Sequence, residues 1–151
     1  MSHTAKTAST SATDLVPALG RVLMASIFVF SALGKLAAPQ ATIGYIQSVG
    51  LPFATLGLVL AVAVELGGGL MLIFGIKSKA AAAVLAAFSL VTGLAFHHAI
   101  GDQNQLIHLL KNVAMAGGLL QIVLRRLATC VAELDVDERA ARIFSLLQRG
   151  G

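Results

Sequence analysis

A single carboxylate, Glu65, interrupts an apolar run from Phe53 to Ile76 that otherwise carries no charge. An ionisable group in the middle of a membrane-spanning segment costs about 2.5–3.5 kcal/mol on insertion scales, so it faces a partner or a cavity. The polar side chains available to meet it fall into three groups. Arg21 and Lys35 are fourteen residues apart in the first apolar run, which returns to nearly the same helical face. His97 and His98 close the third run. His108, Lys111 and Asn112 stand at i, i+3 and i+4 in the fourth, and so share a face. At a rise of about 1.5 Å per residue, Arg21 lies roughly 7 Å, Glu65 roughly 15 Å and Lys111 roughly 20 Å from one membrane face, with Lys35, His97 and His108 nearer the opposite one. Depth therefore predicts that Glu65 bonds to Lys111, to Arg21, or to both.

Three kinds of chemistry fit this set. Buried ion pairs could fix the register of the helices and do nothing else. A partly hydrated pocket, open to the outer face, could bind a polar or redox-active small molecule. Lys35, His97, His98, His108 and Lys111 would line it, with Glu65 at its floor, and the excess of basic groups favours an anionic or quinone-like guest. A proton path through Glu65 and the histidines is the third. No metal is expected: adjacent histidines at a helix end cannot both point the same way, and no recognised ligand spacing is present. No residue is assigned a catalytic role, and no cofactor is evident beyond a quinone.

The elements that must position these residues are transmembrane helices. Of 151 residues, 57% are hydrophobic and 12% charged, about half the charged share of a soluble domain. The mean hydropathy of +0.86 agrees. Four apolar runs, Leu15–Ala38, Phe53–Ile76, Ala80–Phe96 and Leu106–Leu124, are each near the length of about 20 residues that a spanning helix needs. The first could also be read as a signal-peptide core behind Arg21, but it is expected to be retained. Asp14 reads as its cap, with Pro17 in its first turn. Between the first two runs, Ile43, Tyr45, Ile46 and Val49 suggest a short helix or turn at the membrane interface. Gly75 to Lys79 reads as a tight turn. Gly57, Ala61, Glu65 and Gly68 share a face, and Gly67-Gly68-Gly69 suits close helix packing rather than phosphate binding.

Lys77, Lys79, Arg125 and Arg126 fall on one side of such a bundle, whereas residues 39–52 and 97–105 contain no Lys or Arg. The positive-inside bias then puts both termini in the cytoplasm. This topology accounts for the formal charge of +4, so no nucleic-acid partner is expected. Cys130 is the only cysteine, which rules out an internal disulfide and reads as an inert small residue. Residues 1–14 read as a flexible tail, 15–126 as the four-helix domain, and 127–151 as a cytoplasmic amphipathic helix. In that last segment Val136, Ala140, Ile143, Phe144 and Leu147 recur at helical spacing. It would lie on the membrane or dock on a redox-protein partner. Nothing opposes a homo-oligomer.

The ordered set Arg21, Phe30, Gly34-Lys35, Gly50-Leu51-Pro52, Glu65-Leu66-Gly67-Gly68-Gly69-Leu70, Gly75, Leu110-Lys111-Asn112-Val113-Ala114 and Gly117-Gly118 resembles the DoxX family, from about Leu15 to Leu124. The resemblance implies a small bacterial inner-membrane protein with four transmembrane helices. It marks Arg21, Lys35, Glu65, Lys111 and Asn112 as positions of the family pattern, without a catalytic role for any. The family is named after a subunit of a thiosulfate:quinone oxidoreductase, and some relatives are membrane partners in redox-stress assemblies. The expected fold is thus an all-α integral membrane protein, a four-transmembrane-helix bundle with a C-terminal cytoplasmic amphipathic helix. The expected function is an accessory or quinone-binding component of a membrane redox system, without catalytic activity of its own. A subunit of a sulfur-compound:quinone oxidoreductase and a small transporter are the alternatives.

Overall fold

The computed structural model describes residues 12–124. Arg125, Arg126, Cys130, the tail up to residue 11 and the amphipathic segment 127–151 lie outside the described residues. Five helices follow one another: α1 (Ala12–Ala37), α2 (Pro39–Ser48), α3 (Ala54–Phe74), α4 (Ser78–Phe96) and α5 (Gln103–Leu124). Among the described residues there is no strand. Four stretches are long and apolar enough to cross a membrane: Leu15–Ala37 of α1, and the whole of α3, α4 and α5. Their 19 to 23 residues span about 28–35 Å, close to the roughly 30 Å of a bilayer core. α1 begins two residues ahead of the cap read at Asp14, so Pro17 falls in its second turn.

The bundle has two distinct ends. The basic end holds the start of α1 and the turn between α3 and α4. There Gly75 takes φ 72°, and the backbone N–H of Ile76 donates to the Met71 carbonyl at 2.9 Å. This closes α3 in the six-to-one pattern that a left-handed glycine permits. The other end, here the loop end, holds α2 and the link between α4 and α5. α2 is the short helix that Ile43, Tyr45, Ile46 and Val49 suggested, with Val49 capping its end rather than lying within it. Its buried Ile46 packs with Ala54 and Leu58 of α3, and Tyr45 stacks on Phe96 with ring centroids 5.2 Å apart.

The largest apolar core lies in the basic half. Ala25 and Phe28 of α1, Leu72 of α3, Ala82 and Leu85 of α4, and Ala116 and Leu119 of α5 meet there. Between lipid-facing helices there is little hydrophobic drive to associate, so small residues that permit close contact matter more. The three consecutive glycines of α3 divide that work. A Cβ at Gly68 would sit 2.9 Å from Leu85 Cγ of α4, and one at Gly69 would sit 2.8 Å from Val29 Cγ2 of α1, whereas one at Gly67 would meet nothing within 4 Å. On the outside, Leu23, Ile27 and Phe30 of α1, Val59 and Leu60 of α3, Val91 and Leu94 of α4, and Leu110 and Val113 of α5 are exposed. Such an apolar belt around four helices is a surface made for lipid.

Candidate functional site

Two cores leave a polar layer between them, and Glu65 is in it. Ser31 and Lys35 stand one turn apart on α1, on the same face. Lys35 Nζ donates to Glu65 Oε2 at 2.8 Å, to Glu65 Oε1 at 2.9 Å and to Ser31 Oγ at 2.7 Å. Ser31 Oγ in turn donates to Glu65 Oε1 at 3.2 Å. The three side chains form a closed triangle in which Ser31 both accepts and donates. The partner of Glu65 is therefore Lys35, not Lys111 or Arg21.

Helix direction explains the error in the depth argument. Lys35 is in the last turn of α1, and Glu65 is eleven residues into α3, so their Cα atoms differ by roughly 13 Å in depth along ideal helices. Every Cα–Cβ bond tilts toward its own helix N-terminus. α1 runs toward the loop end and α3 runs away from it. Lys35 thus leans down into the bundle, Glu65 leans up, and two long side chains close the gap. Counting Cα depth alone hides this convergence.

The pair forms the floor of a cavity of ≈ 690 Å³. Its walls include Tyr45 and the stacked Phe96, together with Phe88. Its polar lining includes His97, Gln105, His108 and Asn112. The rings of His97 and His108 stack with centroids 4.9 Å apart and planes 20° from parallel. Gln105 presents its amide oxygen to His97 Nδ1 at 2.8 Å, and an amide oxygen only accepts, so Nδ1 donates. α5 sets Gln105 in place through its own start. Asp102 Oδ1 accepts from the Gln105 backbone N–H at 2.9 Å, the geometry of an N-cap. Gln105, His108 and Asn112 then follow along one face of α5. Asn112 Nδ2 donates to the His108 carbonyl at 3.0 Å. Its closeness to α4 needs Gly93, where a Cβ would lie 2.8 Å from Asn112 Cβ.

A second chamber of ≈ 150 Å³ lies behind the pair. Ser31, Glu65, Thr92 and Asn112 line both spaces, and Phe28 and Met115 close the smaller one toward the core. At about 30 Å³ per molecule in the liquid, it has room for a few waters beside a polar wall. The Glu65 carboxylate therefore stands between two hollows.

Of the residues singled out in the sequence, Lys35, Glu65, His97, His108 and Asn112 meet at this cavity. Arg21, His98 and Lys111 do not line it. Arg21 is at the basic end, with Nη2 3.9 Å from where a Cβ on Gly75 would be. His98 and Lys111 are exposed. The shared face of α5 passes through His108 and Asn112, and Lys111 lies to its side. Ser31 and Gln105 are the site residues that sequence reasoning passed over. Their signal was spacing: Ser31 is one turn before Lys35, and Gln105 is three residues before His108. Among the described residues, no three of His, Cys, Asp and Glu cluster in a way that could hold a metal ion.

Comparison with known proteins places this geometry in context. The DoxX family model matches residues 16–98, which include Arg21, Lys35, Glu65, His97 and His98, while α5 lies beyond the match. The chain is 30% identical over 111 residues to the inner membrane protein YqjF of Escherichia coli K12, covering 74% of this chain and 84% of that protein. It is 25% identical over 113 residues to the inner membrane protein YphA of the same organism, covering 70% and 79%. No solved structure matches the chain.

Proposed function

The chain belongs to the DoxX family, and from that premise we propose that it is an integral inner-membrane protein whose loop-end cavity binds a small molecule, a quinone headgroup fitting best. The observation that carries this reading is the cavity itself. Ligand sites typically enclose about 300–1,000 Å³, with apolar and aromatic walls and a few convergent polar groups. A hollow of ≈ 690 Å³ with Tyr45, Phe88 and Phe96 on its walls and the Lys35–Glu65 pair on its floor has that make-up.

The charges favour a neutral guest. The excess of basic residues left an anionic and a quinone-like guest both open, but Lys111 is outside the cavity and Lys35 is already paired with Glu65, which weighs against the anion. A quinone ring offers a flat apolar body for the aromatic walls and carbonyl oxygens that accept hydrogen bonds. His108 and the second hydrogen of the Asn112 amide, whose first goes to the His108 carbonyl, supply polar hydrogens nearby. The four long helices would each cross the membrane once, with the basic end in the cytoplasm and the cavity toward the outer face, as the positive-inside bias requires.

The test is thermal unfolding of the purified protein in detergent with a short-chain quinone. At about 100 times its Kd, a ligand of the folded state adds about 2.7 kcal/mol of stability, a readily measured rise in Tm. The rise should be lost in His108→Phe, which keeps a ring but removes its hydrogen bonding. It should persist in His98→Phe, which is off the cavity. Absence of any rise with ubiquinone and menaquinone analogues would remove the quinone reading, and mass spectrometry of co-purifying small molecules would then name the guest.

A further inference from the structure

At the opposite end of the bundle, Arg21 has no role in the cavity just described. Its Nε is buried and has no hydrogen-bond partner among the described residues. A guanidinium is always charged and carries five donors in a rigid fork, and Arg21 is only partly buried, so one that lines an open cleft is suited to an oxyanion. Arg21 sits in a cleft of ≈ 400 Å³ between α1 and α5. Gly20 leaves its mouth clear, Gly118 lets Met24 pack close, Val16 and Met24 give it apolar walls, and Gln121 adds an amide within it. Val16, Gly20 and Gln121 are exposed, so the cleft opens on the lipid-facing surface rather than into the bundle.

We propose that this cleft seats the phosphate headgroup of an anionic phospholipid, with Arg21 as its principal ligand. The depth is right for a headgroup. Arg21 Nη2 lies beside Gly75, the residue that ends α3, so the guanidinium is level with the end of a membrane-spanning helix and not with its middle. The charge is right as well. Lys77 and Lys79 follow Gly75 at the same end, and together the three cations make that rim attractive to anionic lipid. A free phosphate would satisfy the fork equally, but it has no use for the apolar walls of Val16 and Met24. An acyl chain does, and the lining of the cleft extends along α1 from Val16 to Met24.

The experiment uses the full chain, stripped of lipid in mild detergent, and reads bound lipid by native mass spectrometry and Tm by thermal unfolding. Phosphatidylglycerol should give a retained adduct and a rise in Tm, with phosphatidylcholine and inorganic phosphate far weaker. Arg21→Gln should weaken phosphatidylglycerol binding by about tenfold or more, the weight of one hydrogen bond to a charged group. Arg21→Lys should restore part of it. Gly20→Leu is the second variant, since a Cβ at Gly20 meets nothing within 4 Å and the protein should fold normally. Its side chain should fill the cleft and displace the lipid while leaving Arg21 intact. Equal effects of phosphatidylglycerol and inorganic phosphate would overturn the proposal, as would lipid binding that survives in both Arg21→Gln and Gly20→Leu. If Arg21 serves only to face the C-terminal carbonyls of α3, its loss will lower Tm equally with and without lipid, which also overturns it.

Discussion

Lys35 keeps 23% of its side-chain surface and Glu65 only 7%, so the two are not equally able to survive alone. Without Glu65, the ammonium of Lys35 can turn up toward the loop end and regain water. Without Lys35, the Glu65 carboxylate stays buried with Ser31 as its one remaining partner. Lys35→Met should therefore destabilise on the order of 3 kcal/mol, the lower part of the range for a broken buried pair, and Glu65→Gln clearly less. The double variant Lys35→Met, Glu65→Leu should recover most of the loss, because it leaves no uncompensated charge. Chemical unfolding in detergent measures all three, and equal losses in the two single variants would contradict the asymmetry. Glu65 could be recognised in the sequence because one charge in an apolar run is conspicuous. Its partner could not, because the direction in which a side chain leans depends on which way its helix runs.

The elements owe their closeness to glycines with different neighbours. Gly69→Val would drive a Cβ to within 2.8 Å of Val29 Cγ2 and 3.4 Å of the Ala25 carbonyl oxygen, and a backbone atom cannot turn aside. α1 and α3 would have to separate, at a cost of about 1–3 kcal/mol for overpacking and at the expense of the ion pair that joins them. Gly67→Ala should be neutral or stabilising by up to about 1 kcal/mol, from helix propensity alone. Melting curves of the two variants would separate these cases. The sequence pointed to the glycine run as a packing surface, which holds for Gly68 and Gly69 but not for Gly67, and it showed all four long helices and the short α2. It did not show which glycine met which helix, since that requires the order of packing around α3. Nor did it show that α1 starts ahead of Asp14.

For the whole molecule, the decisive expectation is that the two ends face different compartments. Asn104→Cys, at the loop end, should react with a membrane-impermeant maleimide in intact cells, and Ser78→Cys, at the basic end, only after lysis. Each should be made in a Cys130→Ser background, and the reverse pattern would invert the topology. Composition and loop charge carry this expectation. An outer pocket over Glu65 was one of three readings of the polar residues, but its aromatic walls, Tyr45, Phe88 and Phe96, were not legible, because the cavity is assembled from all five helices at once. The pairing of α1 with α3 also bears on how the protein is made. A chain enters the membrane from its N-terminus, so α1 arrives before any partner exists. Its lysine is in the last turn, where it can wait among the headgroups. Glu65 arrives later, at the middle of α3, and finds Lys35 already there. The charge that tolerates delay precedes the one that does not, and this order would spare Glu65 a spell unpaired in the hydrocarbon.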